Sequence, residues 1–247
     1  LAGRLGELTS VQVRGLWLRD TAYYQRAAWA GKRVMNGQRV ADGVCTNPLA
    51  HGFATAFAIV GLADAAQVES IETELYHAHP IQADDTSWVT VNRVDGLPVH
   101  VSLTLCGPRQ EPPTVTLVGS RGRAELSYTT DEITVTVDGV TTTETCQRTC
   151  LLENLLDYRE GRADLLVPVA ETVGFMCVLE ATQTAPDPRQ IADEWVRWEG
   201  TETWQHPVVS EIDSCQQRCL DSGQGYLAAG APWAQPEACA VWRPPSA

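Results

Sequence analysis

The sequence predicts an α+β protein with one large, open, mostly antiparallel β-sheet and helices packed on one face. Period-two strands joined by short turns fill the middle of the chain, and helical segments are concentrated after residue 150. One apolar helix lies between the first strand and the later ones, and no strand–glycine-rich turn–helix unit is recognisable. We therefore expect a single domain over residues 1–247 and no nucleotide-binding α/β fold within it.

Composition and charge argue against several classes of function. The chain has 247 residues, of which 44% are hydrophobic and 20% charged, as is typical of a globular protein. Its formal net charge of −13, without a basic cluster, argues against nucleic-acid binding. The longest apolar run, Phe53 to Ala63, is too short to span a bilayer, and no signal peptide is visible. We expect a cytoplasmic protein with no membrane partner.

The cysteines and histidines give no metal-binding pattern. Two of the spacings among the eight cysteines are CxxxC, which differs from the CxxC of zinc ribbons. We favour reduced thiols. His77 and His79 alternate on a predicted strand and would share a face, but the sequence offers no third ligand beside them. We expect no metal site.

The predicted strands rest on alternating apolar and polar side chains and on turn-forming residues. The first strand lies within residues 7–20, where Val11 and Val13 alternate with polar side chains. Asp95-Gly96 and Asp138-Gly139 predict tight hairpin turns, and a third turn is expected at Ser120–Gly122. The later strands are expected within residues 66–80, 86–94, 98–106, 113–128 and 132–144.

The helices follow from apolar spacing and from terminal signals. A helix is expected from about Pro48 to Leu62, with Asn47 as its N-cap because an amide oxygen can accept a free amide hydrogen of the first turn. Three more helices are expected: one within residues 150–162, one from just after Leu166 to residue 185, and one within residues 206–223, where Gly223 ends the helix.

Two groups of residues are candidates for a site. His51 lies one turn after Asn47, where the positive end of the helix dipole favours a neutral imidazole that can accept a proton. The alternative is a buried, hydrogen-bonded structural histidine. The second group lies in a long irregular excursion after the first strand, whose aromatic faces and cationic donors suit a polyhydroxylated or anionic small molecule. Its proposed substrate-binding members are Arg19, Tyr23, Tyr24, Arg26, Trp29 and Lys32. An ordinary surface loop or a dimer contact is the alternative here.

Several segments, in this order, resemble the C-terminal domain of the Gfo/Idh/MocA oxidoreductases, named for glucose–fructose oxidoreductase, inositol dehydrogenase and a rhizopine-catabolism protein. The likeness covers most of the chain. The segments are "GRLGELTSVQV", "DGVCTNPLAH", "ADDTSWVTVNRVDGLPVHVSLTL", "TVTLVGSRGRAELS" and "LLENLLDYREGRADLLVPVAETVGFMCVLEA".

The resemblance implies a function and a site. By position, His51 matches the catalytic histidine of the family, and Asn47 stands where many members have an acidic residue that assists it. The family binds NAD or NADP in an N-terminal Rossmann domain that also carries a catalytic lysine. We therefore expect no cofactor in this chain alone, and no activity from it.

Two functions are compatible with the sequence. The first is the substrate-binding and oligomerisation domain of an NAD(P)-dependent oxidoreductase acting on a sugar, cyclitol or related polyol, assembled as a homodimer or homotetramer through the sheet face. The second is a non-catalytic dimerisation or ligand-sensing module with the same fold, which the substitution of a carboxylate by Asn47 favours.

Overall fold

The structure is a computed structural model that describes residues 3–201 and 204–245. Its helices are α1 (Thr21–Gln25), α2 (Ala50–Val60), α3 (Leu151–Arg159), α4 (Val173–Thr184) and α5 (Ile212–Ser222). Its strands are β1 (Leu8–Leu16), β2 (Val34–Met35), β3 (Gln38–Arg39), β4 (Val68–His77), β5 (Thr86–Arg93), β6 (Val99–Thr104), β7 (Thr114–Gly119), β8 (Gly122–Ser127), β9 (Glu132–Val137), β10 (Val140–Thr145), β11 (Arg189–Gln190), β12 (Val196–Thr201), β13 (Trp204–Val209) and β14 (Cys239–Trp242). None of these helices has the length and hydropathy that crossing a bilayer would require.

A ten-stranded sheet dominates the fold, in the order β10-β9-β8-β7-β1-β6-β5-β4-β11, with β14 also paired to β4. Only the β1–β6 and β4–β11 pairs are parallel within it, so the predicted mostly antiparallel sheet is confirmed. The predicted hairpins β5–β6, β7–β8 and β9–β10 all form. At the last turn Asp138 and Gly139 both have positive φ, 49° and 82°, as a tight two-residue hairpin turn requires.

Helices α2 and α4 pack on the same face of the sheet, as predicted. Successive side chains of a strand point to opposite faces. Val99, Val101 and Leu103 of β6 join the core that contains Phe53 of α2 and Val178 of α4. This layer encloses the larger of two hydrophobic clusters.

Helix α5 departs from that arrangement and lies on the opposite face. Gln216 donates from Nε2 to the backbone oxygens of Gly15 and Ser102, 3.1 Å away in each case. The hydroxyl of Ser102, which alternates with Val101, lies 2.9 Å from that of Tyr226 in the segment after α5. The end of the sheet from β1 to β4 is therefore covered on both faces.

Two local predictions need correction, and one strand pair was missed. Residues 206–209 are not the start of a helix but part of β13, and α5 begins only at Ile212. The pair β12–β13 was not predicted. The helix expected just after Leu166 begins at Val173, because a 3₁₀ turn, Val169–Thr172, precedes it. The excursion is largely irregular, as expected, and contains the short α1 and the β2–β3 pair.

Candidate functional site

Helix α2 begins later than predicted, and Asn47 does not cap it. The N-cap is Leu49, which has no side-chain cap hydrogen bond, and the helix starts at Ala50. The side-chain amide of Asn47 instead donates to Oδ1 of Asp42 at 2.5 Å. This charge-assisted hydrogen bond holds the Asn47 side chain against the buried carboxylate, two residues before the helix N-cap. The sequence prediction of the cap was therefore wrong.

Asp42 is a buried carboxylate that organises the excursion, and sequence reasoning did not select it as a site residue. Arg26 donates to both of its oxygens, at 2.8 and 3.0 Å, and the backbone N–H of Gly31 donates at 2.7 Å. With the Asn47 amide, these donors compensate a charge that is only 3% exposed. A lone acid before an apolar segment was the only signal for it in the sequence.

The aromatic and cationic residues of the excursion largely contact one another. The Arg26 guanidinium lies 3.7 Å from the ring centroid of Tyr23 and 4.8 Å from that of Trp29. Arg19 lies 4.7 Å from the ring of Trp17 and 5.1 Å from that of Tyr23. These cation–π contacts occupy ring faces that a ligand would otherwise use.

Tyr24 and Lys32 lie together in a separate pocket. This pocket, about 500 Å³ in volume, is lined by both residues and by His79. The Tyr24 hydroxyl is buried without a hydrogen-bond partner. Burial raises its pKa well above 10, and Asp85 and Cys106 add to the shift. Lys32 makes no side-chain ion pair with any described residue, so its ammonium is available to a ligand.

His51 is exposed at the first turn of α2 and lines a different groove. The groove has a volume of about 590 Å³ and is mostly apolar. One wall is α2, with Ala54 and Phe57. The other is formed by α4, with Phe175, and by the segment before it, with Leu166. No described residue hydrogen-bonds to the His51 ring. The structure thus divides the predicted residues between the Asp42 network, the Lys32 pocket and the His51 groove.

An apolar surface continues from this groove onto α3. Leu152 is 64% exposed and Val169 is 85% exposed, and several neighbours are similar. The others are Leu151, Leu155, Leu156, Leu166, Val167 and Met176. Patches of this kind on a folded protein mark surfaces that contact another macromolecule or domain.

Comparisons with known proteins identify solved structures with a similar fold. No protein-family model matches the sequence, and no curated protein sequence is significantly similar to it. The WlbA dehydrogenase from Bordetella pertussis, solved with NADH and UDP-GlcNAcA, is similar in structure with a TM-score of 0.51. The two sequences are 19% identical, and the match covers 73% of this chain and 53% of the WlbA chain. The chain has the fold of such oxidoreductases.

Two further structures show the same relationship. An oxidoreductase from Agrobacterium radiobacter, solved with NAD⁺, L-tartaric acid and magnesium, has a TM-score of 0.55 and 15% identity, over 73% of this chain and 55% of that chain. An oxidoreductase domain protein from Kribbella flavida has a TM-score of 0.54 and 12% identity, over 74% and 57%. The chain therefore spans little more than half the length of these proteins. The resemblance to Gfo/Idh/MocA-type oxidoreductases is confirmed at the level of the fold.

Proposed function

We propose that residues 1–247 form the substrate-binding and oligomerisation domain of an NAD(P)-dependent, cytoplasmic oxidoreductase. Its substrate would be a sugar, a cyclitol or a related polyhydroxylated small molecule. The observation that carries this proposal is the exposed imidazole of His51 at the first turn of α2, on the wall of a groove. The shared fold with dehydrogenases solved with NADH and NAD⁺ supports it.

His51 would act as the acid/base. Its ring has no protein partner among the described residues, so a ring nitrogen is free to accept the proton of a substrate hydroxyl. Asn47 would act indirectly, since its amide is held by Asp42.

The remaining predicted residues would bind substrate to different extents. Tyr24 and Lys32 offer a buried hydroxyl and an unpaired ammonium in one pocket. Arg19, Tyr23, Arg26 and Trp29 would shape the neighbouring surface, because their guanidinium and ring faces are engaged with one another.

The cofactor would be NAD or NADP, bound mainly by a separate domain of the full-length protein. The described residues include no strand–glycine-rich turn–helix unit of the kind that binds dinucleotides, which supports a separate cofactor domain. The exposed apolar surface of α3 and residues 166–176 would receive that domain beside His51. This chain alone would be inactive.

Assembly as a homodimer or homotetramer would use the uncovered part of the sheet. Strands β9 and β10 carry exposed threonine pairs, Thr134–Thr143 and Thr136–Thr141, with hydroxyl oxygens 3.1 and 2.9 Å apart. Light scattering of the wild type and of a Thr136→Arg variant tests whether the oligomer forms through this part of the sheet. Loss of the oligomer in the variant is expected, and an unchanged mass would contradict it.

The decisive experiment compares His51→Ala with Thr55→Ala in the full-length protein. Thr55 lines the same groove one turn further along α2, so it is a matched control. We expect His51→Ala to lower kcat by about 100- to 10,000-fold on the best sugar or cyclitol substrate. Thr55→Ala is expected to change kcat little, and both should keep the wild-type melting temperature. Equal kcat for wild type and His51→Ala would exclude the acid/base role.

One observation favours the non-catalytic alternative. No described residue orients the His51 ring, because the amide of Asn47 is committed to Asp42. Titration of the full-length protein with NAD(H) and NADP(H), followed by a sugar and cyclitol panel, separates the two functions. Tight cofactor binding without oxidation of any substrate would favour a ligand-sensing module.

A further inference from the structure

We propose that His79, Asp85 and Cys106, with the Tyr24 hydroxyl beside them, form a zinc site that joins the excursion to the sheet. These four residues are called the His79 cluster below. The sequence predicts no metal here, because the ligands come from separate turns. The loop after β4 supplies His79, the start of β5 follows Asp85, and β6 ends just before Cys106.

The ligand atoms of the His79 cluster already converge. Nδ1 of His79 lies 2.8 Å from Oδ2 of Asp85 and 3.7 Å from Sγ of Cys106. The three ligand atoms all lie within 4.8 Å of one another, and all three residues are buried. Nitrogen and sulfur ligands of a tetrahedral zinc ion stand about 3.5 Å apart. The Nδ1–Oδ2 separation of 2.8 Å must widen to admit the ion.

The other nitrogen of His79 is arranged as in metal-bound histidines. Nε2 lies 2.9 Å from the backbone oxygen of Arg19, which can only accept, so Nε2 carries a hydrogen. Metal-ligating histidines usually donate their second N–H to a carbonyl or a carboxylate in this way. Nδ1 is then the ring nitrogen that would bind the ion, and it faces Asp85 and Cys106.

The charges of the ligands suit a divalent cation. In the zinc-bound form the Asp85 carboxylate and the Cys106 thiolate contribute two negative charges, and the His79 imidazole is neutral. Together they balance the two positive charges of Zn²⁺, so the buried site would carry no net charge.

An unpartnered group points to a ligand at the same place. The Tyr24 ring lies 4.6 Å from the His79 ring between centroids, and its buried hydroxyl has no hydrogen-bond partner. A zinc-bound water would give this hydroxyl the partner that it lacks among the described residues. The pocket lined by Tyr24 and His79 gives an ion a route from solvent. Ligands of N, O and S type together favour zinc over magnesium or calcium.

The test is zinc binding by the full chain in a background in which the exposed Cys146, Cys150 and Cys239 are changed to Ser. After treatment with a chelator, titration with zinc sulfate should give one ion per chain. It should also release protons in weak buffer and raise the melting temperature. Cobalt(II) in place of zinc should show a thiolate charge-transfer band.

Variants decide which residues bind. Cys106→Ala and His79→Gln should each weaken zinc binding by at least about 100-fold, beyond the loss expected for an indirect partner. Cys177→Ala removes another buried thiol, on α4, and should bind zinc as the background does. If Cys106→Ala fails to fold, loss of the cobalt band in Cys106→Ser serves instead. No zinc uptake, or uptake unchanged by both substitutions, would overturn the proposal.

Discussion

Arg33 should contribute more to stability than any other side chain of the excursion. It is 8% exposed and donates from Nη2 to the backbone oxygens of Thr182, Gln183 and Ala185, at 3.0, 3.1 and 3.0 Å. These oxygens belong to the end of α4, where the last carbonyls have no partner within the helix. The guanidinium also places a positive charge at the negative end of the helix dipole.

The expected effect follows from these contacts. Each hydrogen bond contributes about 1 kcal/mol net, and the charge at the helix end adds up to about 1 kcal/mol. Arg33→Met should therefore lower the free energy of unfolding by about 3–4 kcal/mol. Arg33→Lys, which keeps the charge but not the planar fork, should lose about half as much.

Urea unfolding measures this difference, with tryptophan fluorescence and far-UV circular dichroism as independent probes. The midpoint should fall while the m-value stays constant. A loss below about 1 kcal/mol for Arg33→Met would refute the reasoning. An Arg33→Lys variant as unstable as Arg33→Met would show that the charge contributes nothing.

Three further predictions address the core and the surface. Burial raises the pKa of the Glu74 carboxyl above its ordinary 4.5. The folded state therefore binds this proton more tightly than the unfolded state, and the stability gained in this way is lost as the pH rises through the folded-state pKa. Glu74→Gln should therefore melt higher than wild type at neutral pH, with the gain vanishing below pH 4.5; parallel melting curves at all pH values would contradict this. Gly43→Ala would place Cβ 1.8 Å from Oδ1 of the buried Asp84. Urea unfolding should therefore show a loss of unfolding free energy above about 2 kcal/mol. Gly37→Ala, where nothing lies within 4 Å of the new Cβ, should lose about 1 kcal/mol. Leu152→Ser on α3 should leave the unfolding free energy of this chain within about 0.5 kcal/mol but weaken NAD(H) binding by the full-length protein; a large stability loss here would mean that Leu152 is buried.

Local signals in the sequence account for what could be predicted of the fold. The turn at Asp138-Gly139 depends on two adjacent residues, so the pattern was sufficient to place it. The segment from His206 to Val209 forms a strand only because β12 pairs with it, and no local pattern showed that partner. Its proximity to α5 made it resemble the start of a helix.

The candidate site was less predictable because its contacts are non-local. Asn47 has the right type and position for an N-cap, but Asp42 takes its amide. The His79 cluster depends on the register that pairs Thr86 with Thr104, which brings Asp85 beside Cys106. The hairpin turn sets that register, but no local pattern shows that the loop after β4 brings His79 to this end of the hairpin.

The central position of β1 has a consequence for folding. This first strand pairs on one side with β6, where Val11 meets Val99, and on the other with β7, where Val11 meets Leu117. During synthesis its residues emerge early but find both neighbours only after residue 119 has emerged. Until then the β4–β6 meander has an unpaired edge at β6. Folding of this chain should accordingly be slow for its size, with insertion of β1 as the late step that joins the two halves of the sheet.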